Sequence, residues 1–196
     1  DKVAVVHRSA DGRWLFVHSE RYSAWIEAES VATGDKASVL AYGAQGPYRI
    51  ITGATAQTVF TPEEPRVSRL QLDMGVRLPV LADWPAATPV NGQQAHAAWV
   101  VQLPVREADG QLKLVPALLP RSQDTAGEYL ALTPRLLLQQ AFKFLGERYG
   151  WGHDYDTRDC SGFVSEIYRS FGVLLPRNTS AQAVSPALDR LPFTDK

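Results

Sequence analysis

Asp159-Cys160-Ser161-Gly162-Phe163-Val164 is the stretch from which the rest of the chain is best read. Asp159 is a good N-cap, which predicts a helix starting at Cys160 and running to about Phe171. Phe163, Val164, Ile167 and Phe171 share one face of that helix, and Gly172 stops it. A cysteine in the first helical turn meets unpaired backbone N–H groups and the positive end of the helix dipole, both of which favour the thiolate. Ser161 and Gly162 are small, so the neighbouring amides stay open to a substrate oxyanion. The same cysteine also lies in line with the apolar face. From these residues alone it is either a nucleophile or a packed core thiol.

Upstream, Thr133-Pro134 reads as a second helix start, a hydroxyl cap followed by proline at the first helical position. Leu137, Ala141, Phe144 and Leu145 recur at helical spacing, and Gly146 and Gly150 are expected to end the helix. A polar loop from Gly152 to Arg158 leads into the cysteine.

The first 130 residues have a different period. Val3–Val6, the turn Ala10-Asp11-Gly12 and Trp14–Val17 predict a hairpin, with Ala24-Trp25-Ile26 as a following strand. Trp99–Val105, Ala108-Asp109-Gly110 and Leu112–Val115 predict another. Asp-Gly marks both turns because glycine supplies the positive φ. Arg8-Ser9-Ala10-Asp11-Gly12 parallels Arg106-Glu107-Ala108-Asp109-Gly110, which suggests two small β-barrels in tandem. Two Pro-rich stretches, Thr61–Pro65 and Trp84–Pro89, read as loops within the second, and a linker from Leu119-Pro120 to Glu128 is expected to end the β half.

Composition narrows the function. The chain has 196 residues, 45% hydrophobic, enough for a core. A net charge of −1 argues against a nucleic-acid partner. The apolar runs are too short for a transmembrane segment, and one cysteine allows no internal disulfide. No phosphate-binding glycine loop, Gly-x-Ser-x-Gly elbow or metal-ligand spacing occurs, so no cofactor or metal is implied; Asp154, Asp156 and Asp159 lack the glycine and closing Glu of a calcium loop.

Trp151-Gly152, Asp159-Cys160-Ser161-Gly162-Phe163 and Leu175-Pro176-Arg177-Asn178-Thr179-Ser180-Ala181-Gln182 together resemble the NlpC-type cell-wall cysteine peptidases. The nearer resemblance is to members with two bacterial SH3-like domains before a papain-like catalytic domain, which act as γ-D-glutamyl-L-diamino acid endopeptidases. It covers roughly residues 147–182 in detail, with Trp25–Val31 and the two hairpins in agreement. It implies an all-β pair of tandem SH3-like barrels followed by an α+β papain-like domain: residues 1–45 (a partial first barrel), 46–130 (the second) and 131–196 (the amino-terminal part of the peptidase). The implied function is cleavage of the γ-D-Glu–diamino acid amide of peptidoglycan stem peptides or murein fragments through an acyl-enzyme, in the periplasm or cell envelope. Carried over residue by residue, Cys160 is the nucleophile and Asp159 holds the free amine of the stem peptide. Ser161 and Thr179 line the pocket, Trp151 walls it, and Tyr22 leans over the cleft from the first barrel. Arg177 reads as an ion-pair partner.

The sequence also departs from that pattern. Trp151-Gly152 is followed by His153 where a second glycine is usual. The resemblance puts the general-base histidine on a strand well after the cysteine, yet His7, His18, His96 and His153 all precede Cys160. His153 is not in the base position and reads as an exposed loop residue near the cleft. The chain opens at Asp1 without Met and Val3 starts inside a barrel, so both ends are expected to be cut. A missing carboxy-terminal segment or a second polypeptide is expected to complete the catalytic domain with the histidine and several strands. Without them the chain is expected to be inactive, and Phe163, Val164, Ile167 and Phe171 to face water. Two other readings stay open: a non-catalytic wall-binding protein, and an amidase or acyltransferase on the same scaffold.

Overall fold

A computed structural model describes residues 2–189 and 191 of the chain. Strands β1 (Ala4–Arg8), β2 (Trp14–His18) and β3 (Ser23–Glu27) form an antiparallel three-stranded sheet in sequential order. The expected turn is there: Gly12 has φ of 71°, and the Asp11 carboxylate accepts the Arg13 N–H at 3.1 Å. A short helix, α1 (Lys36–Ala41), follows behind the Asp35 cap.

The next part is a set of small sheets around one core. Strand β4 (Tyr48–Ile51) pairs with β7 (Arg77–Pro79) and β10 (Thr125–Ala126). Strand β5 (Thr55–Gln57) pairs with β6 (Gln71–Asp73), and the long hairpin β8 (Ala98–Arg106) with β9 (Leu112–Pro120). Ile51, Leu78, Val101, Leu103 and Leu119 are buried between them. The β8–β9 turn repeats the chemistry of the first: Gly110 has φ of 87°, and Asp109 accepts the Gln111 N–H at 2.9 Å. The expected linker is not a linker. β9 continues to Pro120, and Thr125–Ala126 adds a strand beside β4, because Asp124 O receives the N–H groups of Thr52 and Gly53. Helix α1 and the three-residue strands escaped sequence reading because so short a run carries no periodicity.

Helix α2 (Pro134–Phe142) starts on the Thr133 hydroxyl, which accepts the Leu136 N–H. It ends at Phe142, one turn before Gly146, and Leu145 is left 82% exposed. Helix α3 (Cys160–Arg169) is capped by Asp159 and closed by Gly172 at φ of 79°. A one-turn helix, α4 (Thr179–Gln182), ends the regular structure.

The apolar face of α3 does not face water. Ile167 and Phe171 are buried with Met74 and Phe144, and Phe163 packs against the same cluster half-buried. Val164 is also half-buried. Met74 lies in the β6–β7 turn, so the small sheets supply the backing that the local sequence seemed to lack. Gly75 makes this approach close. Its φ is 79°, and a Cβ there would stand 2.6 Å from the Arg169 side chain.

Candidate active site

The site is built on the start of α3. Asp159 Oδ1 accepts the Gly162 N–H at 2.7 Å, which fixes the first turn and leaves the Cys160 side chain exposed. The core-thiol alternative is therefore excluded by position. Thr179, the first residue of α4, brings its Oγ1 to 3.7 Å from the sulfur. The Tyr149 hydroxyl lies near Cys160. The hydrogen bonds from Thr179, then Tyr149, then the Ser161 amide pull the thiol below its ordinary value; the slight burial and the Asp159 charge oppose them. Sequence reading passed over Tyr149, although it stands only two residues before Trp151.

Asp159 is engaged in the fold through both oxygens. Besides the cap, Oδ1 accepts from Arg177 Nη1 at 3.1 Å and from Ser161 Oγ at 3.3 Å, and Oδ2 accepts from Arg177 Nη2 at 2.7 Å. Burial works against the charge, but the guanidinium and the Gly162 N–H prevail and hold the carboxyl down at about 2. Arg177 is thus the ion-pair partner. Ser161 does not line an open pocket: it is 6% exposed, and its hydroxyl is held between Asp159 and Arg177, 2.9 Å from Nη1. Trp151 is 83% exposed, so it is no core residue. Tyr22 is 47% exposed in the β2–β3 turn. That turn touches the site region through Arg21: its carbonyl accepts the Arg177 N–H at 3.1 Å, and Nη2 donates to Ser165 Oγ at 2.7 Å.

His153 is the main correction. It is not a loosely held loop residue. Arg177 Nη2 lies 2.9 Å from Nδ1, and Glu166 Oε1 lies 3.1 Å from Nε2. A guanidinium only donates, so Nδ1 accepts and the proton is on Nε2, facing the carboxylate. Both ring nitrogens are spent. Backbone φ is 68° at His153, 59° at Tyr155 and 56° at Asp156, a left-handed path for three non-glycine residues. Side chains hold that path: Gln71 Nε2 donates to Asp156 O at 2.9 Å, and Tyr155 N donates to Asp154 Oδ1 at 2.9 Å. Behind it, buried Arg158 donates to Glu166 at 2.8 Å, to Glu147 at 3.2 Å and to Asp73 at 2.5 Å. A polar cavity of about 240 Å³ lies between Arg21, Asp73, Glu166 and Arg177.

No group of three or more metal-ligating side chains occurs among the described residues. No described histidine is placed to serve the sulfur. His7 stacks edge-on to Trp25, His18 bonds Ser23, His96 lines a cavity among the β4–β10 sheets, and His153 is locked as above.

Both ends of the chain are similar to known proteins. Residues 2–27 match the SH3 domain of the SH3b1 type, and residues 146–190 match the NlpC/P60 family. A γ-D-glutamyl-L-lysine dipeptidyl-peptidase of Bacillus cereus is 27% identical over 192 residues, covering 93% of this chain and 51% of the relative. A probable endopeptidase p60 of Listeria welshimeri is 44% identical over 50 residues, 25% of this chain and 10% of that protein. The chain therefore spans about half the length of the first relative and a tenth of the second. Two solved structures share the fold. An NlpC/P60 endopeptidase from Photobacterium damselae subsp. piscicida has a TM-score of 0.69 at 19% identity, over 92% of this chain and 35% of that one. An NlpC/P60 family protein from Bacillus cereus has a TM-score of 0.62 at 23% identity, over 93% of this chain and 56% of that one. The chain thus joins a segment that matches the SH3b1-type SH3 domain to one that matches the NlpC/P60 family, begins just before Tyr149 and contains Cys160, and it is similar to NlpC-type peptidases.

Proposed function

We propose that this protein is a cysteine endopeptidase of the cell envelope that cleaves peptidoglycan stem peptides at the γ-D-Glu–diamino acid amide. The supporting observation is the exposed Cys160 thiol at a capped helix start, lowered by the hydroxyls of Thr179 and Tyr149. Cys160 attacks the amide carbonyl and the sulfur becomes acylated. The amine portion leaves with a proton, and water then releases the acyl group. In this mechanism the Ser161 amide and the Tyr149 hydroxyl, both neighbours of the thiol, receive the developing oxyanion. Thr179, Trp151 and Tyr22 surround the substrate, with residues 1–45 and 46–130 as two SH3-like domains that frame the cleft. Asp159 receives the free amine of the stem peptide on Oδ2, which accepts only from Arg177 Nη2 and has a lone pair to spare.

The general base is proposed to come from another segment or a second polypeptide. What supports this is the engagement of His153 on both nitrogens and the exposed apolar side chains Phe142, Leu145 and Trp151 in the stretch that leads from α2 to Cys160. On this reading residues 1–196 alone are inactive.

The test uses L-Ala-γ-D-Glu-diaminopimelate, its N-acetylated form and product analysis by mass spectrometry, on the protein with and without its cellular partners. Cys160→Ala is expected to abolish cleavage in every case. Acetylation is expected to lower kcat/KM by about tenfold or more through loss of a charge-assisted bond. Cleavage that survives Cys160→Ala, or that is indifferent to acetylation, overturns the mechanism or the amine assignment respectively.

A further inference from the structure

A cavity lies away from Cys160, among the β4–β10 sheets. It is open-mouthed and has a volume of about 710 Å³, within the range of small-molecule sites. One wall is apolar, formed by Val80, Leu81, Ala98 and Val100 with the Trp84 ring. The lining also carries two cations on one indole: the Arg121 guanidinium lies 3.8 Å from the Trp99 ring centroid and that of Arg49 lies 4.7 Å from it.

Two like charges on one ring repel unless something neutralises them. Arg49 spends Nε and Nη2 on Thr125, at 3.1 and 2.6 Å, and its Nη1 has no acceptor among the described residues. Arg121 is exposed, and its guanidinium makes no hydrogen bond or ion pair among the described residues. Glu128 lines the same cavity and pairs with neither. Burial first, and then the Arg121 charge, pull the Arg49 group below its ordinary value, the direction expected of uncompensated neighbours. Two guanidiniums pre-oriented by stacking, beside an apolar wall, suit an anionic head on a compact apolar body.

We propose that this cavity is a binding site for a small organic carboxylate, its anionic group held by Arg121 and Arg49 and its body laid against the Val80–Val100 wall. A ligand N–H beside the carboxylate would find Glu128. The chemistry fits a sugar acid or a peptide α-carboxylate equally, and the site does not rest on the reading of Cys160.

The test follows the Trp99 and Trp84 indole N–H resonances while Cys160→Ala protein is titrated with glucuronate, glucose, acetyl-dialanine and acetyl-dialanine amide. At least one carboxylate is expected to shift the Trp99 resonance saturably, with its uncharged counterpart about tenfold weaker or more. Binding by glucuronate alone assigns a sugar acid, by the dipeptide alone a peptide end, and by both the carboxylate itself. Arg121→Ala removes a side chain whose described contact is the stack, so the fold should survive, and the affinity should fall about tenfold. Arg121→Lys should fall between. Absence of binding by both carboxylates, equal binding of the uncharged counterparts, or unchanged affinity in folded Arg121→Ala overturns the proposal.

Discussion

At the scale of single residues, the described neighbours that lower the Cys160 thiol are hydroxyls and an amide, not an imidazole. Thr179 contributes the largest of the lowering effects. Thr179→Val keeps the shape and removes the hydroxyl, so the thiol should titrate higher, and alkylation by iodoacetamide near pH 7 should slow by about 2- to 10-fold, the worth of one hydrogen bond. An unchanged pH–rate profile would leave Thr179 a bystander. Asp159 gives a second expectation. Its carboxyl is held at about 2 against an ordinary 3.8, so the folded state favours its ionised form. That stabilisation is present in full above about pH 4 and is lost as pH falls through about 2. Arg177→Gln removes the cation, which should flatten the acid limb of stability between pH 4 and 2, read by urea unfolding. A limb as steep as before would show that the cap alone holds the carboxylate.

At the scale of elements, what was legible in the sequence is what is decided within one turn. The Asp11-Gly12 and Asp109-Gly110 turns and the Thr133 and Asp159 caps each depend on a side chain bonding an N–H two or three residues on. The candidate site was legible at Cys160 and Asp159 for the same reason, whereas Thr179 came only from a resemblance that covers roughly residues 147–182. His153 was misread because the partners that fix it, Glu166 and Arg177, come 13 and 24 residues later and meet it only after folding. Gly162 shows how tight that meeting is. A Cβ there would collide with the His153 ring. Alanine would gain about 1 kcal/mol of helix propensity but meet an overpacking cost of about 1–3 kcal/mol, so Gly162→Ala should destabilise on balance. Adding His153→Gly removes the obstacle and relieves a left-handed residue, so the double variant should recover stability relative to Gly162→Ala. Additive effects in the thermodynamic cycle would show that the ring moves aside freely.

At the scale of the whole molecule, the helical third is tied to the sheets by two kinds of contact. One is apolar, with Met74 of the β6–β7 turn packed among Phe144, Ile167 and Phe171. The other is ionic, and Arg158 is its centre. The side chain is 3% exposed and reaches Asp73 at the end of β6, Glu147 after α2 and Glu166 in α3. No local pattern announces this, since Asp73 and Arg158 are 85 residues apart. The Glu166 side chain is 4% exposed and shares its two oxygens between Arg158 and His153. Arg158→Met would fill much of the space but leave the Glu166 carboxylate buried with the imidazole alone. Stripping one partner from a buried pair costs roughly 3–5 kcal/mol, far above the roughly 0–1 kcal/mol of an exposed pair. Urea unfolding of Arg158→Met should therefore show a loss of that larger size, with the helical and sheet signals parting into separate transitions. The penalty belongs to the orphaned charge, so adding Glu166→Gln should return at least half of it. A loss below about 1 kcal/mol would mean that the cluster is solvated like a surface pair. A double variant no better than the single one would place the cost in lost packing around Phe144, whose ring the guanidinium also covers at 5.2 Å.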